Sequence, residues 1–148
     1  MNREDKRLTN AELEAMLAFW LIGAFMAIRG ITLVLTTQES INNSDLYSTM
    51  DSILPFPIWG VIFVIAALII AGSSVSQTVK KYYGLLAGNF LGILVGFPFS
   101  IMSVAESHMP ITQYTITLVA FFNLVLFVHA GVSIWREKKR IHSLRKSN

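Results

Sequence analysis

A long stretch near the middle of the chain, residues 82–105, carries no charge. A helix needs about 20 apolar residues to cross a hydrocarbon core about 30 Å thick, and this stretch is long enough. The whole chain is 53% hydrophobic and only 14% charged, against a usual charged share of about 25%. We therefore predict an all-α integral membrane protein, a single four-helix bundle. The predicted spans cover about residues 15–37, 55–74, 82–104 and 112–135.

The basic residues outside these spans are confined to three segments. They lie at the N terminus, at Lys80 and Lys81, and in the tail 136–148. Because cytoplasmic segments carry an excess of Lys and Arg, this distribution predicts that both termini are cytoplasmic. The segment 38–53 contains no Lys or Arg and several acidic residues, so we expect it to be an acidic loop on the opposite side.

A ladder of small residues runs through the third predicted span. It consists of Gly84, Gly88, Gly92, Gly96 and Ser100. Residues four apart lie on nearly the same face of a helix, so the ladder predicts a groove without side chains. Glycine costs about 1 kcal/mol against alanine inside a helix, but in membranes small residues let helices approach closely. We expect the fourth span, or its counterpart in another copy of the chain, to lie in this groove.

Arg29 is the one charged residue inside a predicted span. An unpaired arginine near the bilayer centre costs about 2.5–3.5 kcal/mol on insertion scales, so it should face protein or a watery cavity. It has either a functional role or a structural one, in which it extends to the outer headgroups or forms an ion pair with Glu106. By depth, Asn123 lies near the level of Arg29, whereas Asn89 and His129 lie nearer the cytoplasm. We therefore predict two polar layers inside the bundle, one formed by Arg29 and Asn123 and the other by Asn89 and His129.

Several kinds of chemistry are not expected. The chain has no cysteine, which excludes disulfides, thiolate metal sites and cysteine nucleophiles. The three histidines lie at different predicted depths, and the glycine spacing differs from that of a phosphate-binding loop. The basic tail is typical of a topology anchor after a last span. We therefore predict no catalytic residues, no metal or other cofactor, and no nucleic-acid partner.

Two functional hypotheses follow from the sequence. The first is a non-enzymatic membrane protein that acts through helix packing or assembly, as a phage or bacterial accessory protein of the cytoplasmic membrane. Its partners would be the lipid bilayer and either another copy of the chain or another membrane protein. The alternative is a holin-like pore, small channel or transporter with a polar path around Arg29 and Asn123.

Two families are similar in outline. The chain resembles the small multidrug resistance transporters in having four short spans. The membrane-buried glutamate of their first span has no match, because Glu12 and Glu14 lie at the predicted boundary. Phage holins are similar in small size, multiple spans and a basic tail. Neither resemblance depends on a shared motif.

Overall fold

The computed structural model describes residues 10–76, 80–106 and 110–146. The N-terminal basic residues and His108 lie outside the described residues. The described residues form six helices and no strand. They are α1 (Asn10–Val34), α2 (Gln38–Asn42), α3 (Asp45–Ile53), α4 (Phe56–Val75), α5 (Lys80–Glu106) and α6 (Pro110–Lys146).

Four of these helices are long and apolar enough to cross a membrane. Within the described residues, the apolar parts of α1, α4, α5 and α6 contain 22, 20, 23 and 30 residues. At 1.5 Å per residue, even the shortest is about 30 Å long, the thickness of a hydrocarbon core. The prediction of an all-helical chain with four such helices is therefore confirmed. The basic tail does not form a separate segment, since α6 continues through it to Lys146.

The four long helices pack mainly in chain order. The extensive interfaces join α1 to α4, α4 to α5, and α5 to α6. The edge helices α1 and α6 therefore bury one narrow stripe each, with the alternating spacing of three and four residues seen in coiled coils. On α1 the stripe is Phe19, Gly23, Met26, Gly30 and Leu33. On α6 it includes Ile116, Ala120, Asn123 and Ala130.

The prediction that residues 38–53 form a loop is wrong, because this acidic segment forms α2 and α3. Thr37 Oγ1 accepts a hydrogen bond from the Ser40 backbone nitrogen at the start of α2, and Ser44 Oγ accepts one from Tyr47 at the start of α3. Such side-chain caps satisfy backbone N–H groups that have no partner within the helix. Both helices have a buried apolar face and an exposed polar face, and α3 contacts α4 and α5. Together α2 and α3 cover one end of the bundle, which we call the capped end.

A second set of contacts ties α3 to the start of α4. The Phe56 backbone nitrogen donates a hydrogen bond of 2.8 Å to Asp51 Oδ1. Asp51 thus supplies the acceptor that Pro55, the N-cap residue of α4, lacks. Trp59 Nε1 also donates to the Met50 carbonyl oxygen, at 3.4 Å. These contacts fix α3 over the end of α4.

Candidate functional site

The closest approach of α1 and α4 is at Gly30 and Gly60. A Cβ at Gly30 would lie 2.6 Å from the Gly60 carbonyl oxygen, and a Cβ at Gly60 would lie 2.5 Å from the Gly30 carbonyl oxygen. Neither glycine has a positive φ, so space and not backbone conformation requires glycine here. One heptad away, a Cβ at Gly23 would meet the Ala67 carbonyl oxygen at 3.4 Å. This interface was not predicted from the sequence, although the seven-residue spacing of small residues on both helices, Gly23 and Gly30 on α1 and Gly60 and Ala67 on α4, was a usable signal.

The first half of the α5 glycine ladder packs against α4. A Cβ at Gly84 would overlap the hydroxyl of Ser73. A Cβ at Gly88 would lie 2.7 Å from Ile70 Cγ1 and 3.2 Å from the Ala66 carbonyl oxygen. This half of the groove is therefore filled by the helix that precedes α5.

The second half of the ladder packs against α6. A Cβ at Gly92 would lie 2.5 Å from Asn123 Oδ1, and one at Gly96 would lie 3.3 Å from Ala120 Cβ. Each four-residue step along a helix rotates the next residue by about 40°, so the ladder turns by about 120° from Gly84 to Gly96. Two helices, α4 and α6, thus share the groove, whereas the sequence predicted that the fourth span or its counterpart in another copy would lie in it.

Polar contacts continue the α5–α6 interface. Ser100 and Thr117 share a hydrogen bond between their hydroxyl groups, 2.7 Å long. Asn123 Nδ2 donates to the Val119 carbonyl oxygen of its own helix at 2.9 Å, while its buried Oδ1 has no hydrogen-bond partner. The Cα–H of Gly92 points at this oxygen, because a Cβ in that direction would collide with it. Weak Cα–H···O contacts of this kind recur between closely packed helices.

Arg29 is the first member of a series of aromatic contacts that leads to α3 at the capped end. Its Cζ atom is 4.9 Å from the centre of the Phe99 ring, a cation–π geometry. The ring centres of Phe99 and Phe56 are 6.3 Å apart, and those of Phe56 and Tyr47 are 4.8 Å apart. The guanidinium is therefore held in an apolar environment beneath α3.

One edge of this guanidinium is unsatisfied. Arg29 Nε and Nη2 are both buried and have no hydrogen-bond partner. These two nitrogens direct their N–H bonds along the same edge, which is the geometry that binds a carboxylate or a phosphate with two parallel hydrogen bonds. Beside Arg29 is a cavity of about 10 Å³, room for about one water molecule. The cavity is lined by residues from all four long helices, among them Phe25, Phe63, Ile116 and Val119.

The two predicted polar layers are not formed. Arg29 and Asn123 share no hydrogen bond, since Arg29 packs on Phe99 and Asn123 on Gly92. Asn89 is fully buried, and its Nδ2 donates to a carbonyl oxygen of its own helix, that of Leu85, at 2.6 Å.

His129, in contrast, is exposed on α6. A buried Asn89–His129 layer is therefore excluded. The side chain of Glu106 lies outside the described residues, so its ion pair with Arg29 stays a prediction. Among the described residues the ion pair that forms is on the α6 tail, where Arg140 Nη2 donates to Glu137 Oε1 at 2.8 Å.

The fold and these contacts define a class of protein. The described part of the chain is helical, with four helices long and apolar enough to span a membrane, packed through glycines and enclosing part of one arginine side chain. No group of three His, Cys, Asp or Glu residues in the described ranges is arranged to hold a metal ion. Comparison with protein families, with characterised proteins and with solved structures finds no match for the chain. Its function must therefore be inferred from its own residues.

Proposed function

We propose that this chain is a non-enzymatic integral membrane protein that acts by assembling with a second copy or with another membrane protein. The charge distribution supports a bacterial cytoplasmic membrane protein with both termini in the cytoplasm. Lys80, Lys81 and the basic part of α6 lie at the end away from α2 and α3, and α2 and α3 carry acidic residues such as Glu39 and Asp45.

A second stripe on α6 carries this proposal. It lies on the face opposite the one that packs on α5, and all its residues are exposed. We call it the outer stripe: Leu118, Phe122, Val125, His129 and Val132. Its spacing alternates between four and three residues, like the buried stripes of α1 and α6.

The outer stripe fits a helix better than it fits lipid alone. Lipid would cover the apolar members equally well, but His129 is polar and lies within the apolar part of α6. Ionisable side chains within spans usually face protein or water. One polar residue in an apolar heptad stripe also specifies which partner and which register are allowed. A partner helix on this stripe would give His129 such a setting.

Assembly is tested by the size of the protein in a mild detergent. Val125→Arg should reduce the assembly to a single chain, because the arginine would clash with a partner helix on the stripe, whereas in a single chain its side chain can extend toward the headgroups. Leu124→Arg is the matched control, since Leu124 is the neighbouring residue, is also exposed and lies off the stripe. Equal sizes for the two variants would contradict assembly through the outer stripe.

A pore or transporter is the second candidate, and one observation favours it. The cavity beside Arg29 is lined by all four long helices, as a central binding site would be. Its volume of about 10 Å³ is too small for a substrate, and Asn123 is packed against Gly92, so transport would require α5 and α6 to separate. Flux across liposomes that contain the protein tests this candidate, and flux that is unchanged in Arg29→Leu would remove Arg29 from the path.

A further inference from the structure

We propose that the Nε/Nη2 edge of Arg29 binds the phosphate of a membrane lipid, which approaches from the bilayer between α1 and α6. This inference is independent of the outer stripe on the opposite face of α6. It starts from the two buried N–H groups of Arg29 that have no partner. A charged group left in this state is strongly destabilising unless an acceptor is supplied.

The acceptor must present two oxygens to one edge. Parallel N–H groups of a guanidinium match the oxygens of a carboxylate or a phosphate, and such bidentate bonds are among the strongest in proteins. Of the acidic residues at the capped end, Asp51 accepts from the Phe56 backbone nitrogen, and Asp45 lies in the first turn of α3. No described carboxylate forms an ion pair with Arg29. An acceptor from outside the chain therefore competes only with Glu106, whose side chain lies outside the described residues.

The shape of the site favours an anion that arrives from the bilayer. The cavity holds about one water molecule, so it cannot enclose a phosphate or a carboxylate. Because Nε and Nη2 are buried, the side chains that cover them must shift before an anion reaches this edge. Phe25 of α1 lines the cavity and is 39% exposed, and α1 and α6 form no extensive interface with each other in the described part of the chain. We therefore assign the approach to the gap between these two helices.

The depth of Arg29 is within reach of lipid headgroups. It is five residues before Val34, the end of the apolar part of α1, which places it about 7.5 Å below that end. Long basic side chains extend toward the interface, and the bilayer thins locally around a buried charge. Thr32 and Thr36 continue the same face outward, and their hydroxyls make this part of α1 polar. A lipid phosphate is the oxyanion already present at this level.

The test measures lipid binding to the purified full-length protein in detergent. The probes are phosphatidylglycerol, phosphatidylcholine, a diglucosyl diacylglycerol without phosphate, oleate and inorganic phosphate. The readouts are the thermal unfolding midpoint and the number of bound lipids in native mass spectra. Both phospholipids should raise the midpoint and remain bound, and the phosphate-free glycolipid and inorganic phosphate should do neither.

Variants show whether Arg29 is responsible. Arg29→Gln should bind phospholipid at least about tenfold more weakly, since a hydrogen bond to a charged group contributes about 1.5–3 kcal/mol. Arg29→Lys keeps the charge but loses the bidentate edge, so its phospholipid affinity should lie between those of the parent protein and Arg29→Gln. If Arg29→Gln does not fold, Arg29→Lys takes its place in the comparison. Arg136→Gln, in the exposed tail, should bind like the parent protein.

Three results would overturn the proposal. An equal phospholipid response in the parent protein and Arg29→Gln would show that another site binds the lipid. A response to inorganic phosphate as large as that to phospholipid would identify a soluble anion as the ligand. A response to oleate alone would identify a carboxylate, and an acidic residue of a partner helix would then be the better candidate.

Discussion

The carbonyl oxygen of Gly60 lies only 2.6 Å from the position that a Cβ at Gly30 would take, and the carbonyl oxygen of Gly30 lies 2.5 Å from the Cβ position at Gly60. Backbone contact therefore sets the separation of α1 and α4. Neither helix can move away from this contact without opening the interface from Gly23 to Leu33. The α1–α4 interface therefore tolerates added volume poorly at these two positions.

Alanine at either of these two glycines should destabilise the protein. Gly60→Ala must displace backbone atoms, and overpacking of this kind costs about 1–3 kcal/mol. Gly72→Ala in the same helix is the matched control, because a Cβ there would meet nothing within 4 Å. Thermal unfolding in detergent should show a lower midpoint for Gly60→Ala and an unchanged or higher one for Gly72→Ala. Equal midpoints would mean that α1 and α4 are not in backbone contact.

Gly92 and Asn123 should be energetically coupled. Gly92→Ala places a methyl group against the Asn123 amide, so it should destabilise the parent protein. In an Asn123→Ala background the same change should cost much less, because the amide is gone. A double-mutant cycle measures this coupling, and contacting residues typically give about 0.5–3 kcal/mol. Additive effects of the two substitutions would place Asn123 away from Gly92.

The hydrogen bond between Ser100 and Thr117 should make a small contribution to stability. Interhelical hydrogen bonds in membrane proteins average about 0.6 kcal/mol, so Ser100→Ala should lower stability by about that amount. Ser133→Ala is a suitable control, since Ser133 bonds to a carbonyl of its own helix, that of His129. A loss of several kcal/mol at Ser100, or a loss no larger than that of Ser133→Ala, would contradict the small contribution expected of this hydrogen bond.

Removal of the Asp51 carboxylate should loosen the capped end. Asp51→Ala deprives the Phe56 backbone nitrogen of its acceptor, and loss of such a cap costs about 1 kcal/mol. Asp51→Asn keeps an acceptor oxygen and should cost less. Glu39→Ala, at an exposed position in α2, should have little effect on the unfolding midpoint. If all three variants unfold alike, Asp51 does not connect α3 to α4.

Charge and hydropathy are sufficient to predict the four long helices, because a span needs a minimum length of uncharged, apolar sequence. They do not predict which face packs, because residues that face lipid and residues that face protein are both apolar. The Gly30–Gly60 contact was missed for this reason. The segment with α2 and α3 was mistaken for a loop because Ser, Asn and Asp favour both turns and helix N-caps.

The prediction of two polar layers was wrong for a different reason. Depth along the bilayer gives no information on direction around the helix axis. His129 follows Asn123 by six residues, a rotation of about 240°, so the two cannot face the same neighbour. The same arithmetic explains why the ladder from Gly84 to Gly96 contacts α4 first and α6 later. The rotation of each residue, and not only its depth, was needed to predict the candidate site.

The assembly proposal is tested most directly by cysteine crosslinking in native membranes. The natural chain has no cysteine, so each variant carries a single thiol. Val125→Cys, on the outer stripe, should form a disulfide-linked dimer on oxidation, or a crosslink to a partner protein with a short thiol-reactive reagent. Leu124→Cys, one residue away and off the stripe, should remain a monomer. Equal crosslinking of the two variants, or none at Val125→Cys, would contradict assembly through α6.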